Sequence, residues 1–240
     1  VIYICIPAHN EQRTAGLVLW KIRQVMSDFK RDYEVLFLDD ASTDRTYEVV
    51  APYVQVLPLV ILRNERREGH GASLERLLRE AVQRCSYPRR DIIVTLQADF
   101  TDEPLAIPGM VKRIEGGADL VVATSPHNGK AVPLAVRWIR RALPWLERRY
   151  DFPEQISDPF SGLRAYRVGL VKRTLKAKDG ERLLKRDGWA ASVELLLAMA
   201  PHTRRVEEMQ SEARHARRAR SSRLSFWRAA RDYIGLLRGR

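Results

Sequence analysis

The sequence is poor in the residues that mark several common chemistries. It holds two cysteines in 240 residues, Cys5 and Cys85, too few for a disulfide framework or a zinc-binding set. Cys5 lies inside an apolar strand-like run and reads as a small core residue, and so low a count fits a reducing compartment. No stretch reaches the about 18 consecutive apolar residues of a bilayer span, and no signal peptide is visible. The chain begins in a strand-like run at Val1 rather than with methionine, which leaves room for a short leader. Glycine-rich phosphate cradles are missing as well. No GKS or GKT is present, and Gly69-His-Gly71 supplies only the GxG of a GxGxxG fingerprint. No serine stands in a convincing nucleophile context. Acids are outnumbered, with 30 Asp and Glu against 42 Lys and Arg, for a net charge of +12. The imbalance concentrates in residues 201–240, where eleven arginines face four acids. Such a tail suits nucleic acid, an anionic membrane, a phosphorylated substrate or simply a solvated surface.

What is present is a globular composition, 45% hydrophobic and 30% charged, long enough to bury a sizeable core. Strand-like and helix-like segments alternate. Strands are expected over Val1–Pro7, Tyr33–Leu38, Val54–Leu62 (interrupted at Pro58), Ile92–Leu96 and Leu120–Thr124. Helices are expected over Glu11–Phe29, from near Thr43 to before Pro52, over Gly71–Arg84 and over Leu105–Glu115. Repeated βα units of this spacing predict an α/β protein with a mostly parallel sheet covered on both faces. After Ser125 the rhythm changes. Residues 132–149 and 225–238 read as amphipathic segments rich in Arg and Trp, suited to a membrane surface or to packing on the sheet. Between them, Ser161–Tyr166 and Arg204–Met209 read as strands and Trp189–Ala200 as a helix.

The chemistry concentrates where strands end. Glu34-Val-Leu-Phe-Leu-Asp-Asp-Ala-Ser-Thr-Asp44 runs from an apolar strand into two adjacent carboxylates, Asp39 and Asp40. Ile92–Leu96 runs into Gln97-Ala-Asp99 and then Asp102. In a parallel sheet both sets reach the carboxyl edge, where ligands bind. Adjacent carboxylates repel, so Asp39 and Asp40 call for a donor or a ligand, and base or ribose groups would serve. Acids at Asp99 and Asp102 suit a divalent cation that neutralises a leaving diphosphate. Plainer readings exist for each. Asn10 would cap the first helix, Ser42, Thr43 and Asp44 the second, and the acids of the 99–102 turn the helix after Pro104.

Taken in order, these motifs resemble the inverting family 2 glycosyltransferases of GT-A fold, close in pattern to polyprenyl- and dolichyl-phosphate sugar synthases. Pro7-Ala-His-Asn-Glu11 resembles the family's PAYNE-type strand end, and Leu38–Asp44 its VDDGSTD motif. Asn64 with Gly69-His-Gly-Ala72 resembles the N…G.G.A segment, and Gln97-Ala98-Asp99 stands in place of the DAD metal motif. Asp158-Pro-Phe-Ser-Gly-Leu-Arg-Ala-Tyr166 resembles the D..SGFR.Y stretch, Gly188–Leu196 the later G…..E.L helix with Glu194 in its acidic position, and Arg214–Ser222 a basic R.R..S segment.

The resemblance implies one GT-A domain over 1–240: a nucleotide-sugar half at 1–124, a sugar and acceptor half at 125–209 and a basic amphipathic tail at 210–240. It implies nucleotide contacts from Pro7, His9, Glu11, Asp39, Asp40, Asn64, Gly71, Gln97, Ala98, Arg214 and Arg220. Mg²⁺ or Mn²⁺ would be held by Asp99 and Asp102, with Asp99, Asp158 and Arg164 carrying catalysis. The implied reaction moves mannose or another hexose from a GDP- or UDP-sugar to a polyprenyl-phosphate-like acceptor at the inner face of the cytoplasmic membrane. The alternative acceptor is a soluble alcohol, for which Asp158 would be the base. Gln97 departs from the family's aspartate, and an amide binds a hard cation poorly. That departure also admits a catalytically dead relative. Nucleotidyl transfer would need a Gly-rich basic loop after the first strand, and Pro7–Glu11 is not one. A non-enzymatic binder of nucleic acid or anionic membrane would explain the Arg excess but not the acids ending two strands.

Overall fold

The computed structural model describes residues 1–124 and 156–211. Seven strands form one sheet in the order β3-β2-β1-β4-β6-β5-β7. They are β1 (Ile2–Ala8), β2 (Tyr33–Asp39), β3 (Leu59–Arg63), β4 (Ile92–Thr95), β5 (Leu120–Thr124), β6 (Arg164–Arg167) and β7 (Val206–Gln210). The helices are α1 (Ala15–Phe29), α2 (Thr46–Val50), α3 (His70–Arg84), α4 (Ile107–Glu115), α5 (Val168–Ala177) and α6 (Gly188–Met199).

All seven residues of β1 are buried, as a strand covered on both faces must be. Its alternation divides the core in two. Ile2, Ile4 and Ile6 pack with α1 and α4 residues such as Leu19, Ile22 and Met110. Tyr3 and Cys5 face the other way, into a cluster with Leu77 and Leu78 of α3, Val171 of α5 and Leu195 of α6. Cys5 is thus a core residue, fully buried.

Two topological facts place the site. β1 pairs in parallel with β2 on one side and β4 on the other, so strand order reverses at β1/β4, where α/β folds open a crevice at the carboxyl edge. β6 then inserts antiparallel between β4 and β5, with Arg164 opposite Thr95. An antiparallel strand enters where its parallel neighbours leave. The residues leading into β6, including Asp158, therefore lie at the same edge as Asp99.

Local differences from the expected elements have physical causes. Pro58 precedes β3 instead of interrupting it, since proline cannot donate to a ladder. α1 starts at Ala15, because residues 11–14 form a turn in which the Glu11 carbonyl accepts from Thr14 and Ala15. The second helix ends in a 3-10 turn over Ala51–Gln55 that seats Pro52 near its start, where a missing N–H is tolerated. α5 was not anticipated: its apolar positions Val168, Val171 and Leu175 are interleaved with lysines and arginine. Residues 132–149 and 225–238, with Arg214 and Arg220, lie outside the described residues. Among those described, no helix is long and apolar enough to cross a membrane.

Candidate active site

The edge at the ends of β1 and β2 is built by two loops zipped together. Asn10, with φ of 57°, does not cap α1. Its N–H donates to Ser42 Oγ at 2.9 Å and its side-chain oxygen accepts the Thr43 N–H at 2.7 Å. The Glu11 N–H donates to Thr46 Oγ1 at 2.8 Å. Of the Ser42-Thr43-Asp44 run Asp44 turns back onto the start of α2, its Oδ1 accepting the Thr46 N–H at 3.0 Å. His9 donates from Nδ1 to the Asp40 carbonyl at 2.8 Å, a direction set by the carbonyl being an acceptor only.

The two adjacent aspartates have different partners. Asp39 shares register with Ala8 and Arg63 and is fully buried. Its Oδ1 accepts the Ser42 N–H at 3.0 Å. Its Oδ2 lies 3.3 Å from Arg63 Nε, near enough for an ion pair but outside hydrogen-bond geometry, and that oxygen has no hydrogen-bond donor. Arg63 stacks on Tyr47 at 4.3 Å. Asp40 is also buried, but it accepts from Asn64 Nδ2 (2.7 Å), Glu68 N–H (2.8 Å) and Gly69 N–H (2.9 Å). Burial alone would raise its pKa. The donors at Glu68, Asn64 and Gly69 outweigh burial and hold it below the usual carboxylate range. Asp40 and Asn64 thus pin the loop leading to α3, while Asp39 keeps an acceptor that still wants a donor.

The backbone of Gly69-His-Gly71 meets a carboxylate of the chain itself. The N–H groups of His70 and Gly71 donate to Asp187 Oδ1 at 2.5 and 3.3 Å. Four successive N–H groups, Glu68 to Gly71, are therefore held by carboxylates. A methyl group on Gly71 would overlap the Arg186 carbonyl, so this glycine makes room for residues 186–187.

At the end of β4, Asp99 Oδ1 accepts from Thr101 N–H (3.1 Å) and Oγ1 (2.5 Å), which orients the carboxylate. Asp102 Oδ2 accepts the Gln97 N–H at 2.8 Å and closes the turn. Neither acid caps the helix after Pro104, whose 3-10 turn and α4 carry no side-chain cap. Ala98 is buried beneath the turn. Gln97 Nε2 sits 2.9 Å from where a Cβ on Gly162 would be, so Gln97 packs against the 158–166 stretch. Thr95 Oγ1 adds a bond to the Gly162 carbonyl at 2.8 Å. No group of three or more His, Cys, Asp or Glu suited to a metal occurs among the described residues. The carboxylates that this turn carries are Asp99 and Asp102.

Ahead of β6, Asp158 is buried, and its Oδ1 accepts the Phe160 N–H at 3.2 Å. Arg164 is 1% exposed. Its terminal nitrogens donate to the carbonyls of Ser192 and Pro159, both at 2.6 Å, so the guanidinium ties the Asp158–Pro159 turn to α6. Glu194 accepts the N–H groups of Lys185 and Arg186, each at 2.9 Å. A small cleft, partly open to solvent, lies at this edge; Pro7, His70, Gln97, Ser161, Arg164 and Ser192 are among its lining residues. His70 is the residue that sequence reasoning passed over. Its only signal was a polar ring between two glycines at a helix start. Burial pushes its pKa below the usual imidazole value, against the pull of Asp187, Asp99 and Asp40.

A reversed-order sheet with acids at its carboxyl edge and an antiparallel strand returning to that edge is the GT-A arrangement. The family model for glycosyl transferase family 2 matches residues 3–175, and the chain belongs to that family. It is 25% identical over 176 residues to a dolichol-phosphate mannosyltransferase of Pyrococcus furiosus, covering 71% of this chain and 47% of that protein. It is 26% identical over 180 residues to an undecaprenyl-phosphate 4-deoxy-4-formamido-L-arabinose transferase of Pseudomonas fluorescens, covering 74% and 50%. The chain thus spans about half the length of the curated relatives it matches. Among solved structures, glucosyl-3-phosphoglycerate synthase of Mycobacterium tuberculosis aligns with a TM-score of 0.67 at 21% identity, over 99% of this chain and 78% of that one. TarS of S. aureus in complex with UDP-GlcNAc aligns with a TM-score of 0.58 at 17% identity, over 98% and 66%.

Proposed function

We propose that this chain transfers a hexose from a nucleoside-diphosphate sugar to an acceptor hydroxyl, inverting the anomeric carbon in one displacement. The observation that carries this reading is the convergence of Asp39, Asp99 and Asp158 on one sheet edge. Asp39 Oδ2, buried without a hydrogen-bond donor, suits the N–H of a uracil or guanine base. Asp99, oriented by Thr101, suits Mg²⁺ or Mn²⁺, which takes one or two carboxylates plus substrate phosphates. When bound there, the ion would neutralise the departing diphosphate. Structures of the mycobacterial synthase described with Mn²⁺ and UDP or UDP-glucose support that pairing. Asp158 would accept the acceptor's proton, while Arg164 holds its turn in place.

A second reading keeps the donor and changes the acceptor to a polyprenyl phosphate at the inner face of the cytoplasmic membrane. The names of the Pyrococcus and Pseudomonas relatives favour it. The alignment of nearly the whole chain with a synthase solved with phosphoglyceric acid favours the soluble hydroxyl acceptor, and that reading leads.

Calorimetry with GDP-mannose, UDP-glucose and UDP-N-acetylglucosamine, in Mg²⁺, Mn²⁺ or EDTA, tests the donor. One donor should bind only with metal, and Asp99→Ala should abolish binding. No binding of any donor to folded protein would overturn the reading. With a donor in hand, Asp158→Asn should lower kcat on a hydroxyl acceptor by about 10²–10⁴-fold, the usual worth of a general base. An already ionised lipid phosphate needs no base, so unchanged turnover on undecaprenyl phosphate would favour the second reading.

A further inference from the structure

The segment between α5 and α6 is held by three carboxylates from three places. Glu75 of α3 accepts the Leu184 N–H at 2.9 Å. Glu194 of α6 accepts the next two, from Lys185 and Arg186. Asp187 then turns outward and accepts from α3. Asp187 occupies the N-cap position of α6, yet its side chain makes no capping bond to that helix. An aspartate at an N-cap ordinarily satisfies its own helix's first N–H groups. Here it satisfies those of a helix that begins 117 residues earlier.

Two glycines are shaped to this contact. Gly69 adopts φ of +95°, and a Cβ there would lie 3.0 Å from Asp187 Oδ1. Gly71 admits the Arg186 carbonyl. The residue between them, His70, is half-buried and lines the cleft with Gln97 and Arg164. Electrostatically it lies within reach of Asp40 on the donor side, Asp99 at the end of β4 and Asp187 on the acceptor side. α3 has no side-chain cap from its own segment, so Asp187 supplies the acceptor for its first N–H groups.

We propose that Asp187 is a positioning residue: by capping α3 across the sheet edge it sets the His70 imidazole in the cleft, where it meets the sugar–diphosphate portion of the donor. The inference rests on the nucleotide-sugar reading above. It joins the two halves mechanically, since displacement of residues 183–187 would release the first turn of α3 together with His70.

A double-mutant cycle tests it. His70→Ala and Asp187→Ala should each lower kcat/KM for the donor by about tenfold, and the double variant should be no worse than either, the mark of residues acting as one unit. Asp187→Asn, which keeps one acceptor oxygen, should recover part of the loss. Equal losses from Asp187→Ala in both backgrounds, or no loss at all, would overturn the proposal. The ring resonances of His70 supply a readout without turnover. They should move in Asp187→Asn, and unchanged ring signals would overturn the proposal even if no donor were ever found. Failure of wild-type protein to use any nucleotide sugar, with the ring signals moving, would strike the functional reading instead.

Discussion

Two regions of this sheet edge are held together over different distances along the chain. At the ends of β1 and β2, the loops are joined by bonds such as Asn10 to Ser42 and Glu11 to Thr46, spanning 32 and 35 residues. Between α3 and the segment before α6, Asp187 reaches His70 across 117 residues and Glu75 reaches Leu184 across 109. The first region is a pair of adjacent βα units. The second needs α3, α5 and α6 docked together, so a longer loop must be closed before its contacts repay the entropy. The carboxylates follow the same division. Asp40 acts within the first region and the loop before α3, whereas Asp187 and Glu75 bridge between α3 and the segment before α6.

The most disruptive break in this comparison is at Gly71. Gly71→Ala puts a methyl group into the Arg186 carbonyl, and backbone cannot yield as a flexible side chain can. A loss of about 2–4 kcal/mol is expected, read as a lower urea midpoint with the m-value checked for two-state behaviour. An unchanged midpoint would mean that residues 186–187 do not sit on α3.

Asp40→Asn should be milder, about 2 kcal/mol, because the Gly69 N–H would face an amide that offers only one acceptor oxygen. The pH dependence has a definite sign. A carboxylate whose folded pKa lies below its unfolded value stabilises fully above the unfolded value, about 3.9, and loses that stability as pH falls through the lower folded value. Unfolding midpoints measured from pH 7 down to acid should therefore show wild type and Asp40→Asn converging below about pH 4. A gap that stayed constant into acid would show that the Asp40 charge contributes nothing.

Least affected should be the surface pair Arg31–Glu115, 3.4 Å apart with both side chains about half exposed. Arg31→Ala should shift stability by about 0.5 kcal/mol or less and leave donor affinity unchanged. A large effect there would mean that remote surface charge shapes the site, and the contrast between the two regions would lose its force.

The legibility of the site followed the same line. The place of Asp39 and Asp99 at the sheet edge could be read from the strand ends, because a βα unit carries its polar residues at a known place relative to its apolar run, whereas Asp158 was indicated by the family resemblance alone. The motifs suggested ligand contacts for Asp40 and Asn64 and gave no sign of their bonds to each other and to the loop before α3, since a motif does not record which donor a carboxylate finds. Arg164 illustrates the same limit. Its motif position suggested contact with substrate, while its guanidinium is turned onto the Pro159 and Ser192 carbonyls. α5 escaped notice because the lysines and arginine among its apolar positions blur the periodicity.

By itself the sequence determined the alternating βα architecture, the burial of β1 on both faces and the delivery of carboxylates to one edge. These follow from local periodicity and from the turn chemistry at strand ends. Only the tertiary structure decided that β6 runs antiparallel between β4 and β5, that Asp187 caps α3 rather than α6, and that His70 faces the cleft. Each depends on which of several equally competent donors and acceptors come within about 3 Å of one another, and that distance is set by how the helices pack on the sheet.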